Sequence, residues 1–237
     1  MISIQELNKH FGKFPVLKQI NLNLEPGNVV ALIGPNACGK TTLIKTILGM
    51  VVPDSGTIRV NDIPVNKHWA YRRQIGYMPQ IGRYPENMTV GQILDMLQNI
   101  RGVGLPDTDL YEDFKLNTIL HKKMGTLSGG TRQKIGAHLA FAFNPEILIL
   151  DEPTAGLDPL SAVALKNKIR KEREKGKLVL VTSHILSELD GLVNQVVYME
   201  EGKIMFNKTL SSLTEDTGTQ NLPDAIVHIM SNALTEA

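Results

Sequence analysis

A glycine-rich segment at residues 34–42 constrains the fold of this chain more than any other feature. Its sequence, GPNACGKTT, follows the pattern G-x-x-x-x-G-K-T. The apolar run Val29–Ile33 before it predicts a buried strand, and the spacing of the apolar residues at 43–48 predicts a helix after it. In this strand–loop–helix context, glycines let the backbone approach an anion, and N–H groups of the loop and the helix start point at phosphates.

The same segment therefore predicts how a nucleoside triphosphate is bound. Lys40 is expected to bring a positive charge to the β- and γ-phosphates, and the Thr41 hydroxyl to bind Mg²⁺. Cys38 is either a reactive thiol at the helix start or a small residue that packs like alanine, and we expect the latter. The predicted nucleotide-binding residues of this segment are Gly34, Pro35, Asn36, Ala37, Cys38, Gly39, Lys40, Thr41 and Thr42.

Two acidic residues follow a second apolar run. The run Ile147 to Leu150 predicts a strand that is buried on both faces, and Asp151 and Glu152 come directly after it. Asp151 is expected beside the phosphate loop, where it holds Mg²⁺ through water. Glu152 is expected to polarise the attacking water.

Four further polar positions extend this pattern. Ser128 and the glycines after it open a helix predicted from about Thr131 to Phe143, and a helix start is a second anion site. Gln80 follows one predicted strand and His184 follows another, Leu178–Thr182. Asp158 lies shortly after the two carboxylates.

Taken in this order, the six segments resemble the nucleotide-binding subunit of the ATP-binding cassette (ABC) family over nearly the whole chain. The resemblance implies catalytic roles for Glu152, His184, Lys40 and Gln80, and a metal contact for Gln80. It also implies that Phe11 stacks on adenine. The implied family motifs are Walker A (residues 34–42), the Q-loop (Gln80), the signature (Leu127, Ser128, Gly129, Gly130 and Thr131), Walker B (Ile147–Asp151), the D-loop (Asp158) and the switch histidine (His184).

The chain departs from the family pattern at three positions. Ala37 and Cys38 stand where the family usually has Gly and Ala, and Thr131 stands where Gln is common. Alanine has less backbone freedom than glycine, but we expect a right-handed turn at Ala37, which alanine tolerates. Since Lys40 and Glu152 are both present, we expect an active site.

The predicted fold is α/β, with a P-loop NTPase (RecA-like) core built on a mainly parallel sheet. The resemblance adds an N-terminal antiparallel β-subdomain, with short strands at residues 2–4 and 16–24. It also adds an inserted α-helical subdomain at about residues 86–145, with helices predicted at 90–100 and 109–120. Residues 1–210 are the predicted ATPase domain. Residues 211–237 are predicted to be a linker, polar at 211–220, and a C-terminal helix at 223–234.

Composition limits the cellular context. The chain has 237 residues, 42% of them hydrophobic, and a net charge of +1, which argues against a nucleic-acid partner. One cysteine fits a reducing compartment. There is no signal-peptide pattern and no apolar stretch of membrane-spanning length. The charged run at residues 166–177 is expected to be a solvated helix face rather than a binding patch.

The resemblance also implies partners. Two cassettes, most simply a homodimer, meet head to tail, and each ATP lies between the Walker A segment of one and Ser128, Gly129 and Gly130 of the other. A polytopic membrane permease is expected to dock at residues 81–88, which begin at Ile81 and end at Met88. The chain is then a peripheral protein on the cytoplasmic face of the cell membrane. It couples ATP hydrolysis to transport.

The cargo and the wider class leave alternatives open. Residues 77–88 are similar to ATPases of the NosDFY type, which serve maturation of the copper site of nitrous oxide reductase, and a multidrug-type exporter is the other candidate. A soluble ABC ATPase that acts on a macromolecular complex and a non-catalytic binding module are further alternatives. A GTPase would need N-K-x-D, and the Asn-Lys pairs at residues 8, 66, 167 and 207 all lack the aspartate. His121 and His138 have no surrounding polar pattern and are expected to be structural.

Overall fold

The computed structural model describes residues 1–65 and 69–235, so the Asn-Lys pair at residue 66 and the last two residues of the predicted 211–237 segment lie outside the described residues. The strands are β1 (Ile2–Phe11), β2 (Phe14–Leu24), β3 (Val29–Ile33), β4 (Ser55–Val60), β5 (Ile63–Pro64), β6 (Ile75–Met78), β7 (Ile147–Asp151), β8 (Leu178–Thr182), β9 (Gln195–Glu200) and β10 (Lys203–Thr209). The α-helices are α1 (Lys40–Ile47), α2 (Val90–Arg101), α3 (Asp109–Asp113), α4 (Gly129–Phe141), α5 (Pro159–Glu174), α6 (Leu186–Leu189), α7 (Leu210–Thr217) and α8 (Leu222–Thr235).

The strands form two sheets. The first has the order β2-β1-β4-β5 and is antiparallel throughout. Both strands are present and are joined by a tight turn in which Gly12 has a φ of 60°, but they are longer than predicted: β1 has 10 residues where 2–4 was expected, and β2 has 11 where 16–24 was expected. Three register shifts between these strands break the apolar–polar alternation, and this concealed their length in the sequence.

The second sheet holds the functional segments. Its order is β10-β9-β3-β8-β7-β6, and every pairing is parallel except that of β10 with β9. All five residues of β3, of β7 and of β8 are buried. Along β3, Val29, Ala31 and Ile33 face one hydrophobic cluster, and Val30 and Leu32 face the other. The sheet therefore has a core on each face, which explains the continuous apolar runs.

Helices occupy the chain between β6 and β7. The helix predicted at 90–100 is α2, and its start is fixed by a capping box between Thr89 and Gln92. The helix predicted at 109–120 is shorter than expected: α3 ends at Asp113, Lys115 takes a left-handed φ of 52°, and residues 116–119 form a 3₁₀ turn. α4 begins at Gly129, two residues before the predicted start.

The predicted polar linker at 211–220 was also wrong in its first part. Residues 210–217 form α7, whose N-cap Thr209 accepts a hydrogen bond from the N–H of Ser212. Leu213 is buried in the same cluster as Leu222 and Ile226 of α8. A single buried leucine is too short a pattern to predict a helix from sequence. Among the described residues, no helix is long and apolar enough to cross a bilayer.

The charged run at 166–177 is not a uniformly solvated face. On α5, Lys168 is 2% exposed and Glu172 is 0% exposed. Lys168 pairs with Asp107, with Asp109 and, at 3.0 Å, with Glu172. Burial opposes these charges, but hydrogen bonds to the three acids raise the pKa of Lys168. Burial is likewise outweighed at Glu172, where hydrogen bonds from Lys175, Lys177 and Lys168 lower the pKa to about 2. These ion pairs join α5 to the segment before α3.

Candidate functional site

A cavity of about 400 Å³ opens at the carboxyl ends of β3, β7 and β8. This edge is where open α/β sheets bind ligands, because the loops that follow parallel strands converge there. The structure brings eleven of the predicted site residues into its wall. The full lining is Val16, Gly34, Asn36, Ala37, Gly39, Lys40, Thr41, Thr42, Gln80, Asp151, Glu152, Thr182, Ser183 and His184.

The loop at residues 34–42 requires its two glycines. Gly34 has a φ of 150°, and a Cβ there would lie 1.9 Å from the carbonyl oxygen of Met199. Gly39 has a φ of 111°, and a Cβ there would lie 2.8 Å from the carbonyl oxygen of Val16. A side chain at either position would clash with these carbonyl oxygens and displace the loop.

The expectation of a right-handed turn at Ala37 was wrong. Ala37 has a φ of 63°, which lies in the left-handed region. A Cβ in that region crowds the following carbonyl oxygen and costs about 1–2 kcal/mol. The loop therefore holds strain at the position where the family usually has glycine.

Lys40 begins α1 and reaches back over the loop. Its Nζ donates hydrogen bonds to the carbonyl oxygens of Gly34 at 2.8 Å and Pro35 at 2.9 Å. The Sγ of Cys38 lies 3.7 Å from the same Nζ, and the Cys38 side chain is buried in a hydrophobic cluster. The cavity lining does not include Pro35 or Cys38. Cys38 packs as a small apolar residue in the hydrophobic cluster.

Asp151 ends β7 on the cavity wall. Thr182, at the end of the neighbouring strand β8, donates a hydrogen bond from its hydroxyl to Asp151 Oδ1 at 2.5 Å. Burial raises the pKa of Asp151, and the nearby charge of Glu152 adds to the rise. Sequence reasoning did not assign Thr182. The available signal was a hydroxyl residue that ends a buried parallel strand next to the strand of Asp151.

Glu152 and His184 face each other across the cavity. Nδ1 of His184 lies 3.2 Å from Oε2 of Glu152. Glu152 has a φ of 50°, and its N–H donates to the carbonyl and hydroxyl oxygens of Thr182 at 3.2 and 3.1 Å. Its carbonyl oxygen accepts a hydrogen bond from the amide of Gln133 on α4. Strained backbone held by several contacts is typical of functional positions.

Five other predicted residues lie outside the cavity lining. Phe11 ends β1, is 51% exposed and has Lys9 Nζ 5.4 Å from its ring centre. The signature residues Ser128, Gly129 and Gly130 form the start of α4, where Ser128 is the N-cap and accepts from the N–H of Thr131. Asp158 is the N-cap of α5.

Gly130 and Asp158 each have a structural partner within the chain. A Cβ at Gly130 would lie 2.6 Å from the carbonyl oxygen of Gly156, so the signature and the segment before Asp158 pack backbone to backbone. Asp158 pairs with Lys134 of α4 at 2.6 Å and caps Ser161 at 3.0 Å. These hydrogen bonds lower the pKa of Asp158, and the one from Lys134 has the largest effect. Both contacts tie α4 to the start of α5.

The cavity also offers oxygen ligands of the kind that Mg²⁺ prefers. Thr41, Gln80 and Asp151 supply a hydroxyl, an amide oxygen and a carboxylate. Within the described residues there is no group of three or more His, Cys, Asp or Glu that could hold a metal ion alone. The donor set therefore fits a cation that shares phosphate oxygens of a bound nucleotide.

The fold and this cavity define a P-loop nucleoside triphosphatase. Residues 17–155 match the family model described as ABC transporter. The lantibiotic transport ATP-binding protein SrtF of Streptococcus pyogenes is 33% identical over 94% of this chain and 95% of its own length. The Nod factor export ATP-binding protein I of Burkholderia thailandensis is 32% identical over 85% of this chain and 68% of its own.

Solved structures agree with the sequence relatives. A structure titled as the ATP binding subunit of an ABC transporter is 28% identical, with a TM-score of 0.90 over 97% of this chain and 99% of that one. A dimeric ABC cassette bound to ADP and phosphate has the same fold, with a TM-score of 0.78 at 23% identity over 89% of this chain and 99% of that one. The chain belongs to the ABC transporter family: it is an ATP-binding subunit and an ATPase.

Proposed function

We propose that two copies of this chain close head to tail around two ATP molecules and use their hydrolysis to drive a separate membrane subunit, as in an exporter. The observation that carries the proposal is the division of the predicted site residues. Lys40, Glu152 and His184 line one cavity, whereas Ser128 lies outside its lining at the start of α4. A second copy is the simplest source of the missing signature contacts.

The cavity residues have distinct parts in the proposed reaction. Glu152 orients the attacking water. His184, whose Nδ1 lies 3.2 Å from Oε2 of Glu152, contacts the γ-phosphate. When ATP binds, the Lys40 ammonium group exchanges its hydrogen bonds to the two loop carbonyls for contacts with the β- and γ-phosphates. There its positive charge stabilises the transition state. A magnesium ion held by Thr41, Gln80 and Asp151 would neutralise phosphate charge. Phe11 stacks on adenine, and Ser128, Gly129, Gly130 and Asp158 serve the ATP of the second copy.

The membrane subunit is proposed to dock at residues 81–88 and the adjoining face of α2. Ile81 is 72% exposed. A shallow groove is lined by Asn87, Met88, Gln92, Asp95, Met96, Asn99 and Ile100. The exposed Ile81 and Ile100, with the exposed acids Glu86 and Asp95, suit a short amphipathic helix. This partner would hold the chain on the cytoplasmic face of the membrane.

Export is the proposed direction of transport, and the name of the Nod factor export relative supports it. A narrower proposal, service to copper-site maturation of nitrous oxide reductase, rests on the similarity of residues 77–88 to ATPases of the NosDFY type. We also propose that residues 1–210 form the ATPase domain, with a helical subdomain at about 86–145, and that residues 211–237 form a C-terminal extension. Co-purification of a polytopic membrane protein with the tagged chain would separate a transporter from a soluble ABC ATPase.

The proposed reaction is tested with Glu152→Gln. The variant keeps the phosphate contacts but loses the carboxylate that orients water, so it should bind ATP, stop hydrolysis and accumulate as a dimer. Lys40→Ala is the matched control, because it should lose ATP affinity and remain monomeric. Light scattering with and without ATP measures both. Hydrolysis by Glu152→Gln at the parent rate would show that another group orients the water.

A further inference from the structure

The chain after Gln80 folds back onto the helix that presents Ser128. Gly82 allows this, since a Cβ there would lie 2.7 Å from the ring of Tyr84. The Tyr84 ring is half-buried against the larger hydrophobic cluster, and burial raises its pKa to about 12, so the phenol is neutral. Its oxygen lies over Gly136 of α4, 3.3 Å from the position that a Cβ would take there.

The same segment is bonded to the chain just before Ser128. The N–H of Met124 donates to the carbonyl oxygen of Met88 at 2.9 Å, and that of Gly125 donates to the carbonyl oxygen of Glu86 at 3.0 Å. A Cβ at Gly125 would lie 3.0 Å from the Cβ of Glu86, so the two backbones are in close contact. Residues 84–88 therefore hold α4 from both sides of its N-cap.

From these contacts we propose that Tyr84 is a positioning residue for Ser128. Its ring against Gly136, together with the backbone bonds at residues 86 and 88, sets the position of the start of α4 relative to Gln80. Only three residues lie between Tyr84 and Gln80, which is in the cavity wall. The inference rests on the proposed function, in which Ser128 serves the ATP of a second copy.

Gly136→Ala tests the contact, because the added methyl group meets the Tyr84 oxygen and forces the pair apart by a few tenths of an ångström. We expect kcat for ATP hydrolysis to fall about fivefold, since small misplacements of reacting groups are costly. ATP affinity of the monomer should change less than about twofold, because the cavity does not include residue 136. The melting temperature should not fall, since alanine favours a helix over glycine.

The double variant Gly136→Ala/Tyr84→Phe removes the oxygen that the methyl group meets. It should recover at least about half of the parent kcat, and the four-variant cycle should be clearly non-additive. Gly104→Ala is the control for an added methyl group, because a Cβ there has nothing within 4 Å. Parent-like kcat in Gly136→Ala, or a double variant no faster than Gly136→Ala, would overturn the proposal.

A second measurement separates this inference from the proposed function. In the Glu152→Gln background, ATP should form the dimer, and Gly136→Ala should weaken that dimerisation while Gly136→Ala/Tyr84→Phe restores it. If Glu152→Gln dimerises and Gly136→Ala has no effect on the dimer, the positioning role is wrong and the dimer model survives. If Glu152→Gln itself does not dimerise with ATP, both are wrong.

Discussion

Ala37 shows how a single residue can keep a motif functional and still store strain. With a φ of 63°, its Cβ is held in the left-handed region inside the phosphate loop. Ala37→Gly removes this cost of about 1–2 kcal/mol, and the larger backbone entropy of glycine in the unfolded chain cancels part of the gain. We expect a net stabilisation of up to about 1 kcal/mol.

Urea unfolding of the nucleotide-free protein measures the change at Ala37. Ala162→Gly is the control with the opposite expected sign. Ala162 lies in α5, where glycine costs about 1 kcal/mol. Destabilisation by both substitutions would show that Ala37 is not strained.

His138 gives a pH dependence that belongs to one residue. It is buried on α4, its ring centre is 5.6 Å from that of Tyr111, and burial lowers its pKa to about 4 despite the opposing charge of Asp107. Above its ordinary pKa of 6.5, His138 is neutral in the folded and unfolded states. As the pH falls below 6.5 only the unfolded chain takes up the proton, so stability is lost until the pH reaches about 4.

Between about pH 7.5 and about pH 5, this residue should reduce the free energy of unfolding by about 2 kcal/mol. His138→Phe keeps a ring beside Tyr111 and should lose this part of the pH dependence of the free energy of unfolding. His121→Gln, at an exposed position, should leave the slope unchanged. Urea titrations at the two pH values decide, and equal slopes in parent and His138→Phe would contradict the assignment.

At the scale of elements, a buried ion cluster joins α5 to the segment before α3. Lys168 pairs there with Asp107, Asp109 and Glu172. Lys168→Ala leaves the buried Asp107 without its cation, whereas Glu172 keeps Lys175 and Lys177, so the substitution should cost about 3 kcal/mol. Lys171→Ala is the matched control, because Lys171 is 62% exposed and its pair with Asp109 should be worth less than about 1 kcal/mol. Equal effects of the two substitutions would show that the cluster does not join these elements.

This cluster also shows which elements sequence could not predict. Lys168 looks solvated in the sequence, because its partner Asp107 lies about 60 residues away. α7 was missed because its single buried leucine and serine- and threonine-rich turn resemble a linker. The runs of β3, β7 and β8 were predictable, since a strand buried on both faces has few other compositions.

At the scale of the whole molecule, the sequence motifs predicted which residues meet in the cavity. They did not predict how the motif segments contact one another. Glycine spacing and strand ends were enough to predict Lys40, Asp151, Glu152 and His184 as cavity residues. The contact of Gly130 with Gly156 and that of Tyr84 with Gly136 are absent from any local pattern. They depend on how the helices between β6 and β7 lie against the parallel sheet.

The proposed dimer makes a prediction that depends on how two substitutions are distributed between two subunits. If each site combines Lys40 of one copy with Ser128 of the other, a dimer of a Ser128→Arg subunit and a Lys40→Ala subunit has one intact site and one site with both defects. It should keep between about one tenth and one half of the parent ATPase rate per dimer. Either variant on its own should have almost none.

The control carries the same two substitutions in a different arrangement. A subunit with both Ser128→Arg and Lys40→Ala, paired with a parent subunit, has one defect in each site and should be nearly inactive. Two affinity tags, purified in succession, isolate each heterodimer before ATP hydrolysis is measured. If both substitutions instead acted within one chain, the control would keep the activity of its parent subunit and the first heterodimer would have none. The two pairings therefore give opposite results for a shared site and for a site contained in one subunit.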